Sequence, residues 1–353
     1  MKTICTRCIN TKQKLLFILP VMLLFATASL AQDQMYTQFF NSPIYLNPAL
    51  TGQFEGDLRM SLIYRNQWTS IPGNLSYSTA SIDYNVPQFG GGVGLMFTRS
   101  SEGTAFLVNN SVAATYAYSV GSDGFVLSFG LQAGIANRTI DYSKLVFDDQ
   151  LDSRLGFIPG SVSAASSVQF DNKFYFDSGA GINLVVGDFN IGGAMQHLNS
   201  PNESFTQSPA KLPMRGIGHV SYLWDLNKGE NMYADEKSYI IPSVVYTKQS
   251  TAQELSFGVQ YKRRGVNAGL WYHSGGEMGG PSAIGVSLIF DLIINRDGGE
   301  KMRFGVSHDV PVSGLNYSNT SGTSEGSIGY QTTLPSRAAE PKFEGLRRCY
   351  DFY

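Results

Sequence analysis

The chain has 353 residues, 26 of them basic and 28 acidic, for a formal net charge of −2. Charged residues make up 15 % of it, against the ~25 % usual for soluble domains, and Gly, Tyr and Phe number 38, 19 and 22. Such a charge argues against a general nucleic-acid binder. The composition suits an outer-membrane β-barrel, with aromatic girdles outside and small residues inside; a soluble β-sandwich is the competing class.

The first element is a leader. Lys2, Arg7, Lys12 and Lys14 make a basic start, and Leu15–Leu30 is an apolar run interrupted by Pro20. Ser29-Leu30-Ala31 puts small residues at the two positions a signal peptidase reads, which predicts a secretory signal over 1–31 cleaved after Ala31. The apolar run is shorter than the ~20 residues of a spanning helix. Removing 1–31 takes away four of the 26 basic residues and none of the 28 acidic ones, so the net charge falls from −2 to −6. Cys5 and Cys8 form a C-x-x-C pair but go with the leader, and Cys349 alone cannot make an internal disulfide. No cysteine stands directly after the predicted cleavage site, so a lipid anchor is not expected.

Residues 32–56 are predicted to form a plug or strap. Gln38–Gly52 reads QFFNSPIYLNPALTG, too apolar for a solvated tail. Pro43 and Pro48 exclude the interior of a helix or central strand. Ser42 and Asn47 precede them and are biased to extended or turn geometry.

From 57 to 334 the chain alternates with period two in short runs ended by Gly, Asn, Asp or Pro. Fourteen strands are predicted, over 57–68, 75–86, 90–99, 105–120, 124–139, 173–186, 188–198, 213–226, 237–248, 252–263, 266–274, 281–293, 301–310 and 323–333. In Phe106–Val120 one face carries Phe106, Val108, Val112, Tyr116 and Val120, the other Asn109, Ser111, Thr115 and Ser119. The polar face has few Lys or Glu, unlike a solvated sandwich face. Loops after even-numbered strands are mostly short. Those at 141–172, 199–212 and 311–322 are long, as expected if both barrel ends face the periplasm. The tail 335–353 holds Pro335 and Pro341 and is predicted to be periplasmic.

No catalytic or cofactor-binding constellation is legible. His197, His219, His273 and His308 lie far apart, and no H-E-x-x-H or mature C-x-x-C is present. Asp148, Asp149 and Asp152 crowd one loop with oxygen ligands suited to Ca²⁺, but without EF-hand spacing. Ser208-Pro209-Ala210-Lys211 matches S-x-x-K without its companion elements, and Gly90–Gly94 lacks the lysine of a phosphate loop.

Two stretches carry a family resemblance. Asn41-Ser42-Pro43-Ile44-Tyr45-Leu46-Asn47-Pro48-Ala49 followed by Tyr64-Arg65-Asn66-Gln67-Trp68 resembles the start of PorP/SprF outer-membrane proteins. Leu127–Gly134, Asp141–Leu145 and Arg303–Asp309 add to it. The resemblance implies a non-enzymatic part of the type IX secretion system and its gliding-motility branch. By the same resemblance, such a part is expected to sit in outer-membrane lipid, to contact periplasmic ring lipoproteins, and to serve a secreted adhesin or other exported protein. Asn47-Pro48-Ala49 also resembles the hatch of fatty-acid-transporter barrels, which keeps a passive or ligand-selective transporter open. Tyr45, Asn47, Pro48, Arg65 and Trp68 are the candidate plug and partner contacts. Parity puts Arg65 on the lumen face, where it is expected to bond plug carbonyls, and Trp68 at an interfacial girdle.

Overall fold

A computed structural model describes residues 33–334 except 55, 74, 104–106, 123, 142–144, 164–171, 206–207, 229–236, 276–279, 296–299 and 315. The predicted leader and the 335–353 tail lie outside the described residues. Fourteen antiparallel strands make one closed barrel. They are β1 Leu58–Gln67, β2 Leu75–Val86, β3 Gly91–Glu102, β4 Leu107–Ser122, β5 Phe125–Thr139, β6 Asn172–Val186 and β7 Phe189–Gln196. After these come β8 Arg215–Tyr222, β9 Ser238–Gln249, β10 Ala252–Arg263, β11 Val266–Gly275, β12 Gly280–Asn295, β13 Glu300–Pro311 and β14 Thr323–Thr332. Each strand pairs with the next, and β1 pairs with β14 from Leu58↔Thr332 to Gln67↔Thr323, which closes the ring.

The alternation sets the two faces. On β4, Val112, Tyr116, Tyr118 and Val120 are exposed, while Ala113, Thr115, Ala117 and Ser119 are buried. On β11, Leu270 and Tyr272 point out, and Asn267, Trp271 and His273 are buried inside. A continuous exposed apolar face of this extent is tolerated by hydrocarbon, not by water. It decides for the membrane barrel over the sandwich.

Both ends of the barrel lie at one rim, where Asp57 donates its backbone N–H to Thr332 O at 3.0 Å. This rim also carries compact turns such as Pro87–Phe89, Gly187 and Arg264–Gly265. The opposite rim carries the long loops between β5 and β6, β7 and β8, and β13 and β14.

Two strands differ from the periodicity. The run over 213–226 breaks after Tyr222, because Leu223 turns its N–H to Asp188 O at 2.9 Å; a short Trp224–Asp225 piece then pairs with β9. The run over 188–198 ends at Gln196, because His197 takes a left-handed backbone with φ 57.

Residues 33–54 fill the lumen, and this segment is coiled rather than extended. Phe39–Asn41 and Pro48–Leu50 are 3₁₀ turns, and Pro43–Leu46 is a single α turn. Both prolines start a turn, where the missing N–H has no partner to lose. Ser42 and Asn47 keep non-helical backbones before them. The prolines therefore divide the segment into turns instead of stretching it.

Candidate functional site: the plugged lumen

The segment runs from rim to rim. Asp33 lies at the long-loop rim, where its backbone N–H donates to Gln249 Oε1 at 2.8 Å. Its carboxylate Oδ2 stands 2.8 Å from His197 Nε2, and the other ring nitrogen of His197 lies 2.9 Å from Asp177 Oδ1. Burial pushes the His197 imidazole down, but hydrogen bonds to Asp177 and Asp33 and their charges prevail and lift it to about 9. Burial likewise acts to raise the Asp33 carboxyl, yet His197 and Arg215 hold it well below the usual carboxylate range.

Next along the segment, Glu325 on β14 accepts the backbone N–H groups of Thr37 at 2.9 Å and Gln38 at 3.0 Å. Arg65 on β1 sits directly opposite Glu325 in register. Its Nη1 is 2.6 Å from Glu325 Oε1 and 3.5 Å from Asp309 Oδ2. Thr37 donates its hydroxyl to Asp309 Oδ2 at 2.7 Å and lies 3.4 Å from His273 Nε2. Arg65 thus faces the lumen, but its partners are wall carboxylates rather than plug carbonyls. The plug offers N–H groups at this level, so a carboxylate takes them and Arg65 balances that carboxylate. Two plug carbonyls are bonded by other arginines. Arg215 Nη2 donates to Gln34 O at 2.9 Å, and Arg59 Nη2 donates to Leu50 O at 3.2 Å.

Tyr45 is buried inside the barrel. Its hydroxyl donates to Gln34 O at 2.7 Å and receives Arg215 Nη1 at 3.1 Å, while its ring stands edge-on to Tyr36 at 5.2 Å. Below it, Phe39 and Phe40 pack on Trp271 of β11, with ring centroids 5.4 and 6.0 Å away.

Asn47 and Pro48 sit deepest against the wall. Asn47 Oδ1 caps the last turn by accepting Ala49 N–H at 2.9 Å. Its Nδ2 donates to Ile182 O at 3.0 Å and lies 3.2 Å from His219 Nε2. The wall opposite is Gly130 of β5 and Gly181 of β6. A Cβ on Gly130 would collide with Pro48 and Ala49, and one on Gly181 with the Asn47 side chain. These strand glycines let two backbones approach. Thr51 then bonds Thr115 at 3.0 Å, and Gln53 donates to Ser119 Oγ at 2.7 Å. Trp68 is not part of this set. It lies one residue past β1 at the long-loop rim with φ 59, and donates its N–H to Gly322 O at 2.9 Å.

Sequence reading missed the roles of Glu325, Asp309, Arg215 and three of the four histidines. His197, His219 and His273 all touch the segment. Their parity on the lumen face was readable for His219 and His273; their partner, up to 236 residues away, was not. In the β5–β6 loop, Asp152 caps Arg154 and Leu155 N–H groups, and Asp149 accepts from Ser163. Among the described residues, no three His, Cys, Asp or Glu side chains are grouped to hold a metal.

A closed fourteen-stranded barrel with an apolar outer face and a lumen filled by its own N-terminal segment is an outer-membrane β-barrel of the plugged kind. Residues 28–330 match the family described as type IX secretion system membrane protein PorP/SprF, and the chain belongs to that family. Omp33 of Acinetobacter baumannii is similar at 5 % identity, covering 79 % of this chain and 99 % of its own, with a TM-score of 0.40. A deletion mutant of TodX, a monoaromatic hydrocarbon channel, is similar at 11 % identity, covering 84 % and 93 %, with a TM-score of 0.43. No curated protein matches the sequence.

Proposed function

We propose that this protein is a non-enzymatic, closed outer-membrane component of the type IX secretion machine. It assists the export or surface attachment of secreted proteins such as adhesins, and it docks to periplasmic ring lipoproteins. Tyr45, Asn47, Pro48 and Arg65 serve to fix the plug, and Trp68 anchors the barrel at its long-loop rim. The observation that supports this reading is the rim-to-rim bonding of residues 33–57. A segment tied at Asp33, Thr37, Asn47 and Gln53 to β9, β14, β6 and β4 in turn leaves little room for solute flow, so the barrel's work lies on its surfaces.

Two measurements test it. Purified protein in planar bilayers is expected to give conductance near baseline, and a steady porin-sized conductance would overturn closure in favour of a transporter. Affinity capture from solubilised envelopes is expected to recover ring lipoproteins or a large exported protein. Capture of the folded barrel alone, across mild detergents, would overturn the docking role.

A further inference from the structure

We infer that the short-turn half of the β7–β11 lumen wall is one side of a latent crevice that admits small uncharged hydrogen-bonding solutes, with the plug as its other side. The plug is keyed to the barrel unevenly. On β13, β14, β2 and β4 its polar groups meet polar partners. Thr37 bonds Asp309 at 2.7 Å, Gln38 bonds Ser307 at 3.1 Å and Asn41 bonds Ser327 at 2.8 Å. Gly52 N–H donates to Asp83 at 2.8 Å, and Gln53 to Ser119 at 2.7 Å. Against β7–β11 the plug's bonds gather near the long-loop rim, at Gln196, Arg215, Gln249 and His273.

Further along that wall the plug presents hydrocarbon. Phe39, Phe40 and Leu46 share one apolar cluster with Ile241, Val245 and Trp271. Among those apolar side chains each strand carries a polar one that is left without its complement. Both polar atoms of Asn190, and His219 Nδ1, Ser243 Oγ, Gln260 Nε2 and Asn267 Oδ1, have no hydrogen-bond partner among the described residues. All five side chains are buried, none of these residues being more than 5 % exposed. A buried donor or acceptor left unbonded carries its full desolvation cost. Five on neighbouring strands make this the weakly held face of the plug, which can part from it while the bonds to β13, β14, β2 and β4 stay made. A minor state that a ligand makes dominant is a cryptic pocket. The unbonded groups belong to three amides, a hydroxyl and an imidazole, which suits the donors and acceptors of a polyol or an amide rather than an ion. Asn190 and Asn267 each stand second in their strands from the short-turn rim, so the crevice opens to that mouth. The bonds at Gln196, Arg215, Gln249 and His273 close it at the other, and the barrel stays shut.

The experiment reads entry of a small, uncharged, hydrophilic methanethiosulfonate into full-length folded protein in maltoside detergent. Ser243→Cys and Ser327→Cys are each made in a background with Ser at Cys5, Cys8 and Cys349. Both positions are buried. Ser243→Cys gives up no hydrogen bond, whereas Ser327→Cys gives up those to Gln38 and Asn41, so loosening by the substitution itself would favour labelling at Ser327→Cys. Ser243→Cys is nevertheless expected to react faster, by roughly tenfold or more, since its wall is the one that opens. Asn190 lies on the same level two strands away, with Ser221 between them. Adding Asn190→Leu removes an unbonded buried group, which favours the closed packing, and should slow labelling of Ser243→Cys by roughly tenfold. Asn190→Met serves if the leucine variant does not fold, and heat-modified electrophoretic mobility reports folding. Labelling of Ser243→Cys no faster than Ser327→Cys, or a rate untouched by a folded Asn190 variant, would overturn the crevice. Neither outcome depends on the role in secretion, because conductance and capture are not read.

Discussion

The two ends of the plug are held by different physics. The end at Asp33–Gln38 is fixed by charge, through His197, Asp309 and Glu325, with Arg65 and Arg215 as counter-ions. The end at Asn47–Gln53 is fixed mainly by fit, through close backbone approach at glycines and neutral hydrogen bonds to Ile182, Thr115 and Ser119, with one ion pair, Arg59–Asp83, taking the Leu50 carbonyl and the Gly52 N–H. A charged clamp depends on protonation and on both partners being present. A fitted clamp depends on volume. The same segment can therefore be loosened from one end without disturbing the other, and each substitution below asks whether the ends are truly independent.

The largest effect is expected from Arg65→Ala. It leaves Glu325 and Asp309 buried without their counter-ion, which for a buried pair costs about 3–5 kcal/mol. Limited proteolysis should then cut within Asp33–Gln38 while Asn47–Gln53 stays protected. Replacing Glu325 by Gln in the same protein should recover much of the loss, since the uncompensated charge goes with it. Unchanged protection of the charged end in Arg65→Ala would sink its part in the clamp.

Gly130→Val is the mirror experiment. Its added atoms have no room beside Pro48 and Ala49, and overpacking of this kind costs about 1–3 kcal/mol. Protection should now fail first around Asn47–Gln53, with the Asp33 end intact. If both ends open together in either variant, the plug is one cooperative unit and the contrast is wrong.

Much of this architecture is legible in the amino-acid sequence. Strict parity along β4, β10 and β12 marks membrane and lumen faces, and the turn residues bound fourteen strands within a few positions. Parity also turns Arg65 inward. What parity cannot supply is a partner. Glu325 meets Arg65 across the seam that closes the ring, 260 residues away in the chain, and only closure in register brings them together. Local rules also fail where tertiary bonds win. His197 leaves the strand to stand between two carboxylates, and Leu223 leaves it to reach Asp188.

A smaller effect sharpens the fitted end. Asn47→Ala removes the cap on Ala49 and the bond to Ile182 O, for about 1 kcal/mol. The measurement is the urea midpoint for exposure of the segment, which should fall without a change in its pH dependence, because no charge is lost.

The smallest effect is the pH response, and it should belong to the charged end alone. His197 is raised from 6.5 to about 9. Its contribution is therefore complete below pH 6.5 and disappears as pH rises through about 9. Asp33 is depressed, so its contribution is present above its ordinary value of 3.8 and fades only as pH falls well below that. The latch is thus strongest between those limits. His197 lies near the rim and is partly screened, so the loss on the alkaline side is on the order of 1 kcal/mol. Amide hydrogen exchange is too pH-sensitive to read this directly. Protease cutting at Asp33–Gln38, normalised to cutting of an unfolded reference at each pH, is the suitable measure. Cutting should rise between pH 7 and 10 in the wild type and be flat in His197→Gln, while Asn47–Gln53 stays protected in both. A rise of equal size in His197→Gln would place the titrating group elsewhere.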